Sequence, residues 1–331
     1  MLKAIKRFLI LAILGAVGLA AWITWFAISP VKLTGPSVEF SIRPGSGSRT
    51  ATRQIVEAGV AMPAWQFNLM TRAIGNDAGI KAGSYEVSEG VTPWQILGKI
   101  TRGEFSMSEV TFIEGWTFLQ MRSALQSHPA LTHETSGLSD EQIMARLGSA
   151  GQHPEGWFFP DTYLFPKGES DISVLERAHQ AMQKQLQSTW QQRAPGTPLR
   201  SPYEALILAS IVEKETGRRE DRGLVAAVFL NRLRTGMRLQ TDPTVIYGLG
   251  TKFNGNLRKR DLETDHPFNS YTRDGLPPRP ISMPGLESLK AVMNPASADV
   301  LYFVSKGDGS SAFSRTLDEH NRAVQKFQLK R

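Results

Sequence analysis

The spacing of apolar and polar residues changes character several times along the chain. Residues 8–28 form one apolar run with Thr24 as its only clearly polar member. About 20 such residues suffice to cross a bilayer core as a helix. Residues 38–42 alternate, which predicts a short strand turned by Pro44 to Ser48. Helices are predicted over 50–58, closed by Gly59, and over 63–74, closed by Gly75, with Trp65, Phe67, Leu69 and Met70 as apolar positions. A second strand follows at 83–87, then a helix opening at Thr92-Pro93 and ending at Gly103. Beyond it, 110–113 reads as a strand leading through Glu114 to Thr117 into an amphipathic helix ending near Ser127. Residues 172–190 read as a long polar helix with Leu175, Ala178, Met182 and Leu186 on one face. The aromatic-dense segment 156–163 is expected to be a buried plug rather than a groove wall. The fully apolar run 300–304 predicts a central strand, and 286–293 and 317–329 predict the last helices.

Charge places the apolar run. Lys3, Lys6 and Arg7 precede it, whereas Lys32 is the first charge after it. Such asymmetry keeps the short N-terminal side in the cytoplasm. A cleaved signal peptide is the alternative. The run is long for one, and its nearest small-residue site, Leu19-Ala20-Ala21, lies inside it. The chain has no cysteine, which excludes a disulfide framework and a thiol nucleophile. Its six histidines form no His-x-x-x-His pair, so a zinc site is not expected, and the reading as a whole implies no metal or organic cofactor. The net charge is +7. With a membrane anchor, the basic stretch 214–260 suits an acidic polymer outside the cytoplasm rather than nucleic acid.

One helix carries the candidate chemistry. Ser201-Pro202-Tyr203-Glu204 reads as a capping box with proline in the first turn. Residues 205–212 are apolar on nearly every side, which predicts a buried helix. On the helical wheel Glu213 falls between Leu206 and Ala209, and Glu215 between Leu208 and Ile211. Desolvation and the negative helix end both favour the protonated form of a carboxyl in such a place. A proton held towards neutral pH is what a general acid needs. Gln240, Thr241 and Asp242 precede or flank Pro243, so an extended segment is expected there, able to bind hydroxyls and acetamides. Tyr247 and the cluster Asn269, Ser270 and Tyr271 are further candidates for hydrogen bonding to a polar substrate. Asn231 is expected to orient Glu213 or to cap a loop. Asp242 has a second possible role, as the second carboxylate of a hydrolase. His320 is expected to be a surface or capping residue.

The ordered motifs ASIVEKE (209–215), FLNRL (229–233), GMRLQTDPTVIYG (236–248), DLETDHPFNSY (261–271), GLPPRPISMPG (275–285) and LYFV (301–304) resemble the YceG-like family of endolytic murein transglycosylases. The resemblance spans nearly everything after the N-terminus. It implies an α+β protein with a cytoplasmic tail at 1–7, a transmembrane helix at 8–28, a linker at 29–37, a LysM-like module at 38–108 and a catalytic domain at 109–331. In the module, Tyr85 and Trp94 are candidates to stack on sugars, although core positions suit them as well. The resemblance further implies that Glu213 is the catalytic acid; Glu215, Asn231, Gln240, Thr241, Asp242, Tyr247, Asn269 and Tyr271 are read from their own residue types and positions as secondary candidates around the substrate. The expected reaction cuts within nascent peptidoglycan glycan strands at the MurNAc–GlcNAc bond and leaves 1,6-anhydroMurNAc ends, limiting strand length. Peptidoglycan synthases are expected partners. The alternatives are a muramidase-type hydrolase using a second carboxylate, and a glycan-binding scaffold without activity.

Overall fold

The computed structural model describes residues 2–75 and 79–329, with the side chains of residues 2–4, Lys3 included, left outside the description. The protein is α+β and divides into two units. The first comprises residues 1–109 and 164–169, the second residues 110–163 and 170–331.

The first unit opens with helix α1 (Leu2–Ile28), of which Ile5–Ile28 is long and apolar enough to cross a membrane. Strand β1 (Lys32–Leu33), strand β2 (Ser37–Ile42), helix α2 (Ser48–Glu57), strand β3 (Val60–Ala61), helix α3 (Ala64–Ala73), strand β4 (Gly83–Ser88) and helix α4 (Pro93–Arg102) follow. β2 and β4 pair antiparallel from Ser37↔Ser88 to Ile42↔Gly83. The alternation read from the sequence sends Val38, Phe40 and Ile42 inward with Tyr85 and Val87. Tyr85 is a core residue whose hydroxyl donates to the Lys81 carbonyl at 2.7 Å. Phe67 and Met70 of α3 are buried too, but Trp65 is exposed. Thr92 and Gln95 form a reciprocal capping box that starts α4, and left-handed Gly103 ends it. Strand β5 (Met107–Thr111) then carries the chain onward.

The second unit contains helix α5 (Phe118–Gln126), helix α6 (Asp140–Arg146), part of strand β6 (Thr162–Pro166), helix α7 (Asp171–Gln191), helix α8 (Pro202–Glu215), helix α9 (Arg219–Thr235), helix α10 (Asp242–Leu249), helix α11 (Lys259–Glu263), helix α12 (Leu286–Met293), strand β7 (Tyr302–Ser305), strand β8 (Ser311–Ser314) and helix α13 (Leu317–Val324), which runs into a π-turn at Gln325–Leu329. α8 is the central post. Ala205 to Val212 are all buried, against Met182 and Leu186 of α7, Val225 and Phe229 of α9, and Leu289 and Val292 of α12. This is the burial its all-round apolar pattern requires. Phe158 is fully buried and Trp157 stacks on Tyr203 with ring centroids 5.8 Å apart, so the 156–163 segment is a plug.

Four local expectations are corrected. β5 ends at Thr111 because Gly115 and Trp116 are engaged elsewhere: the Gly115 N–H donates to the Met283 carbonyl and the Met283 N–H to the Trp116 carbonyl. At α8 the Ser201 hydroxyl accepts from the Glu204 N–H, but the Glu204 carboxylate accepts from the Arg200 N–H, so the capping box is one-sided. Residues 300–304 do not form a central strand. β7 pairs only with β8, in an antiparallel hairpin with Phe303 opposite Phe313. Finally, Asp242 begins a helix instead of extending the chain.

Candidate active site

Glu213 and Glu215 lie two positions apart on α8, and therefore about 200° apart around its axis. They cannot serve one site, and their surroundings differ. The Glu213 Oε2 accepts a hydrogen bond of 2.9 Å from the Gly285 N–H, and its Oε1 lies 3.5 Å from the Arg222 guanidinium. Gly285 caps the N-terminus of α12, where a carboxylate is favoured by the helix dipole. A Cβ at Gly285 would fall on the carboxyl of Glu114. Burial raises the pKa of Glu114, and repulsion from Glu213 adds to this. Glu213 thus clips the end of α8 to α9 and α12, and this geometry does not carry the expectation that it is the acid.

Glu215 faces the other way, into a cleft of about 480 Å³ lined also by Arg232, Gln240, Asp242, Tyr271, Tyr302 and His320. The Thr241 hydroxyl donates to its Oε1. Burial pushes the carboxyl up to about 7; the Thr241 hydrogen bond opposes this, the Asp242 charge adds to it, and the Arg232 charge opposes it again. Asp242 is anchored by the Tyr271 hydroxyl, which donates to its Oδ1 at 2.5 Å. Burial, followed by this bond to Asp242, raises the pKa of Tyr271, so it remains a donor.

The loop around these groups is held rigidly. Gln240 has φ of 47°, the only left-handed residue other than glycine among those described. That conformation costs about 1–2 kcal/mol for an ordinary residue. It is maintained from both sides: the Gln240 N–H donates to the Ser270 carbonyl, and the Thr241 N–H to the Ser270 hydroxyl at 3.0 Å. Ser270 also shares a 2.8 Å hydroxyl contact with Thr244. Gln240, Thr241, Asp242 and Tyr271 are therefore brought together with Glu215.

The other candidates lie apart from the cleft. Asn231 donates to the carbonyls of Ala298 and Val300, which caps a loop and does not orient Glu213. Asn269 is buried and donates to the carbonyls of Asp261, Leu262 and Thr264. Tyr247 packs on Phe268 and donates to Glu155 at 3.1 Å.

Several contributors were not singled out as site residues in the sequence, although Arg232 lies in the FLNRL motif and Tyr302 in LYFV. Arg232 is buried, donates to the carbonyls of Leu301 and Leu239, and lies over the Tyr302 ring. Tyr302 in turn stacks on His320 with centroids 5.3 Å apart. His320 is thus part of the cleft wall, and burial lowers its pKa. Glu155 is 4% exposed and accepts from the Phe118 N–H; burial takes it to about 7. An acidic residue beside the aromatic plug was the only sequence signal for it.

The profile of the YceG-like family matches residues 40–326. A Bacillus subtilis (strain 168) protein named endolytic murein transglycosylase is 34% identical over 270 residues, covering 76% of this chain and 74% of that protein. Proteins of the same name from Streptococcus pneumoniae strains D39 and R6 are each 26% identical over 321 residues, covering 87% of this chain and 58% of theirs. The crystal structure of a YceG-like protein from Listeria monocytogenes aligns with a TM-score of 0.55 at 29% identity, over 87% of this chain and 98% of that one. With a family profile spanning most of its length and a relative above 30% identity over three quarters of it, this chain belongs to the YceG-like family.

Proposed function

We propose that this protein is a peptidoglycan lytic transglycosylase whose general acid is Glu215. The carrying observation is that Glu215 opens into the cleft with a carboxyl held at about 7 by burial, beside the hydrogen-bonding groups of the 240–242 turn. Family membership and the names of its relatives supply the substrate class and the reaction. The protonated Glu215 gives its proton to the oxygen leaving C1 of a MurNAc residue. As carboxylate it then takes the proton of that sugar's C6 hydroxyl, whose oxygen closes on C1. The glycosidic bond breaks, the 1,6-anhydro ring forms, no water is added and the acid is regenerated. One carboxyl suffices, because intramolecular attack supplies the proximity. Gln240 and Tyr271 are placed to hold hydroxyl or acetamide groups.

The reading includes α1 as a membrane anchor with Lys3, Lys6 and Arg7 on the cytoplasmic side and the rest of the chain outside. The antiparallel pair β2 and β4, with α2 and α3 between them in the chain and only the two-residue β3 separating the helices, supports a LysM-like module. The placement suits cutting within new glycan strands close to the synthases that make them. A hydrolase is the second reading, favoured by Asp242 in the same cleft.

The test is digestion of uncrosslinked polymeric glycan by wild type, Glu215→Gln and Glu213→Gln, with products read by mass spectrometry. Anhydro ends from wild type and Glu213→Gln, with none from Glu215→Gln, are expected. Reducing ends would establish the hydrolase, and activity surviving in Glu215→Gln but lost in Glu213→Gln would return the acid to Glu213.

A further inference from the structure

The first unit grips the end of the span. Phe26 and Ala27 are 6% and 8% exposed, buried in the same core as Phe67 and Ile96, and Ile23 packs against that core. Trp22 stacks on Trp65 with ring centroids 5.3 Å apart and planes 19° apart. Trp22 precedes Ile28, the last residue of the span, by six positions, about 9 Å along a helix axis. The start of α3 is therefore held alongside the last turns of α1, at a depth within the apolar run.

What α3 shows at that depth suits a lipid interface. Trp65 is 62% exposed, Trp25 of the span 65% and Trp94 at the start of α4 53%. Indole rings prefer the headgroup level of a bilayer. The groove that Trp65 lines also carries Arg49, Arg53 and Arg72, against one carboxylate, Glu57. Arg49 and Arg53 are one helical turn apart on α2, both exposed.

We infer that the first unit docks on the outer headgroup layer of the bilayer that α1 crosses. Trp65 and Trp94 sit among the headgroups, and Arg49 and Arg53 meet the phosphates of anionic phospholipids. Polybasic surfaces next to a membrane gain affinity in this way. The inference rests on α1 remaining in the membrane. It gives the unit a bilayer-facing surface in addition to any glycan contact.

The lack of cysteine makes site-specific labelling of the full chain straightforward. Nitroxide would be placed at Ala64→Cys, at Leu14→Cys as a mid-span reference, and at Ser41→Cys as an exposed strand reference. The full-length protein would be reconstituted in phosphatidylcholine vesicles with and without phosphatidylglycerol. Collisions with oxygen, enriched in lipid, and with a nickel chelate, confined to water, would be compared by electron paramagnetic resonance. With phosphatidylglycerol, the label at 64 should lie between the two references, more open to oxygen and less open to the chelate than that at 41. Arg49→Gln with Arg53→Gln should shift it towards the chelate, as should Trp65→Ser. A label at 64 as open to the chelate as that at 41, while that at 14 favours oxygen, overturns docking and leaves the anchor intact. A water-exposed label at 14 overturns the anchor and docking together. Equal shielding without phosphatidylglycerol overturns the anionic-lipid assignment. Shielding only when uncrosslinked glycan is added assigns the face to glycan instead.

Discussion

At the scale of single residues, the chemistry turns on which of two glutamates meets the cleft. The apolar pattern around α8 identified its end as the place for a costly carboxyl, and the wheel separated the two positions. It did not say which side opens outward, because that depends on Gly285 and Arg222 on one flank and on Thr241 on the other, none of them on the same helix. Glu213→Gln should therefore remain active, since glutamine still accepts from the Gly285 N–H, but melt earlier because Arg222 loses its charge partner. Thermal unfolding alongside an activity assay separates these effects. Asp242 offers a sharper test. Its charge helps hold the Glu215 carboxyl at about 7. Above that pH the acid is increasingly ionised, so the rate should fall about tenfold per unit. Asp242→Asn removes the repulsion while keeping an oxygen for Tyr271, so the alkaline limb should move to lower pH with substantial activity left at its acid side. A pH–rate profile reads this directly. Activity lost at every pH would instead mark Asp242 as a second catalytic carboxylate.

At the scale of elements, helices whose partners are a single buried face were legible. The Leu175, Ala178, Met182 and Leu186 stripe of α7 is buried as its spacing requires, and α12 occupies 286–293. The run at 300–304 was harder, because an apolar pattern does not report what each face meets. Phe303 meets Phe229 of α9 edge-on while Tyr302 lies against His320, so both sides are used without a central sheet. The 240–242 turn was also opaque. Nothing in the local sequence demands a left-handed glutamine; the Ser270 bonds impose it. Strain at such a position marks a geometry kept for use. Gln240→Gly should be more stable than Gln240→Ala by about 1 kcal/mol, because glycine adopts positive φ freely. Both should lose activity, through loss of the amide that faces the cleft. Matching activities with separated denaturation midpoints are the expected result, and a Gln240→Ala protein as stable as Gln240→Gly would remove the strain argument.

At the scale of the molecule, the second unit stores two carboxyls out of water, Glu215 in the cleft and Glu155 beneath the aromatic plug, and both are raised from about 4.5 to about 7 by burial. In the unfolded chain they ionise near 4.5, so between that pH and about 7 the native state binds more protons. Stability from these groups is fully present below about 4.5 and declines as pH rises through 7. For Glu155, 4% exposed, two to three pKa units correspond to about 3 kcal/mol. Its cost is structural, whereas that of Glu215 belongs to the proposed chemistry. Glu155 joins the Phe118 N–H to the Tyr247 hydroxyl and so ties the start of α5 to α10, the helix that begins at Asp242. Glu155→Gln retains an acceptor oxygen without a charge. It should be close to wild type in stability near pH 5 and more stable near pH 8. Denaturant titrations of both proteins across this range measure the difference. If the two curves stay parallel across the range, Glu155 keeps an ordinary pKa and the burial argument for it fails, while the same comparison with Glu215→Gln tests the cleft independently.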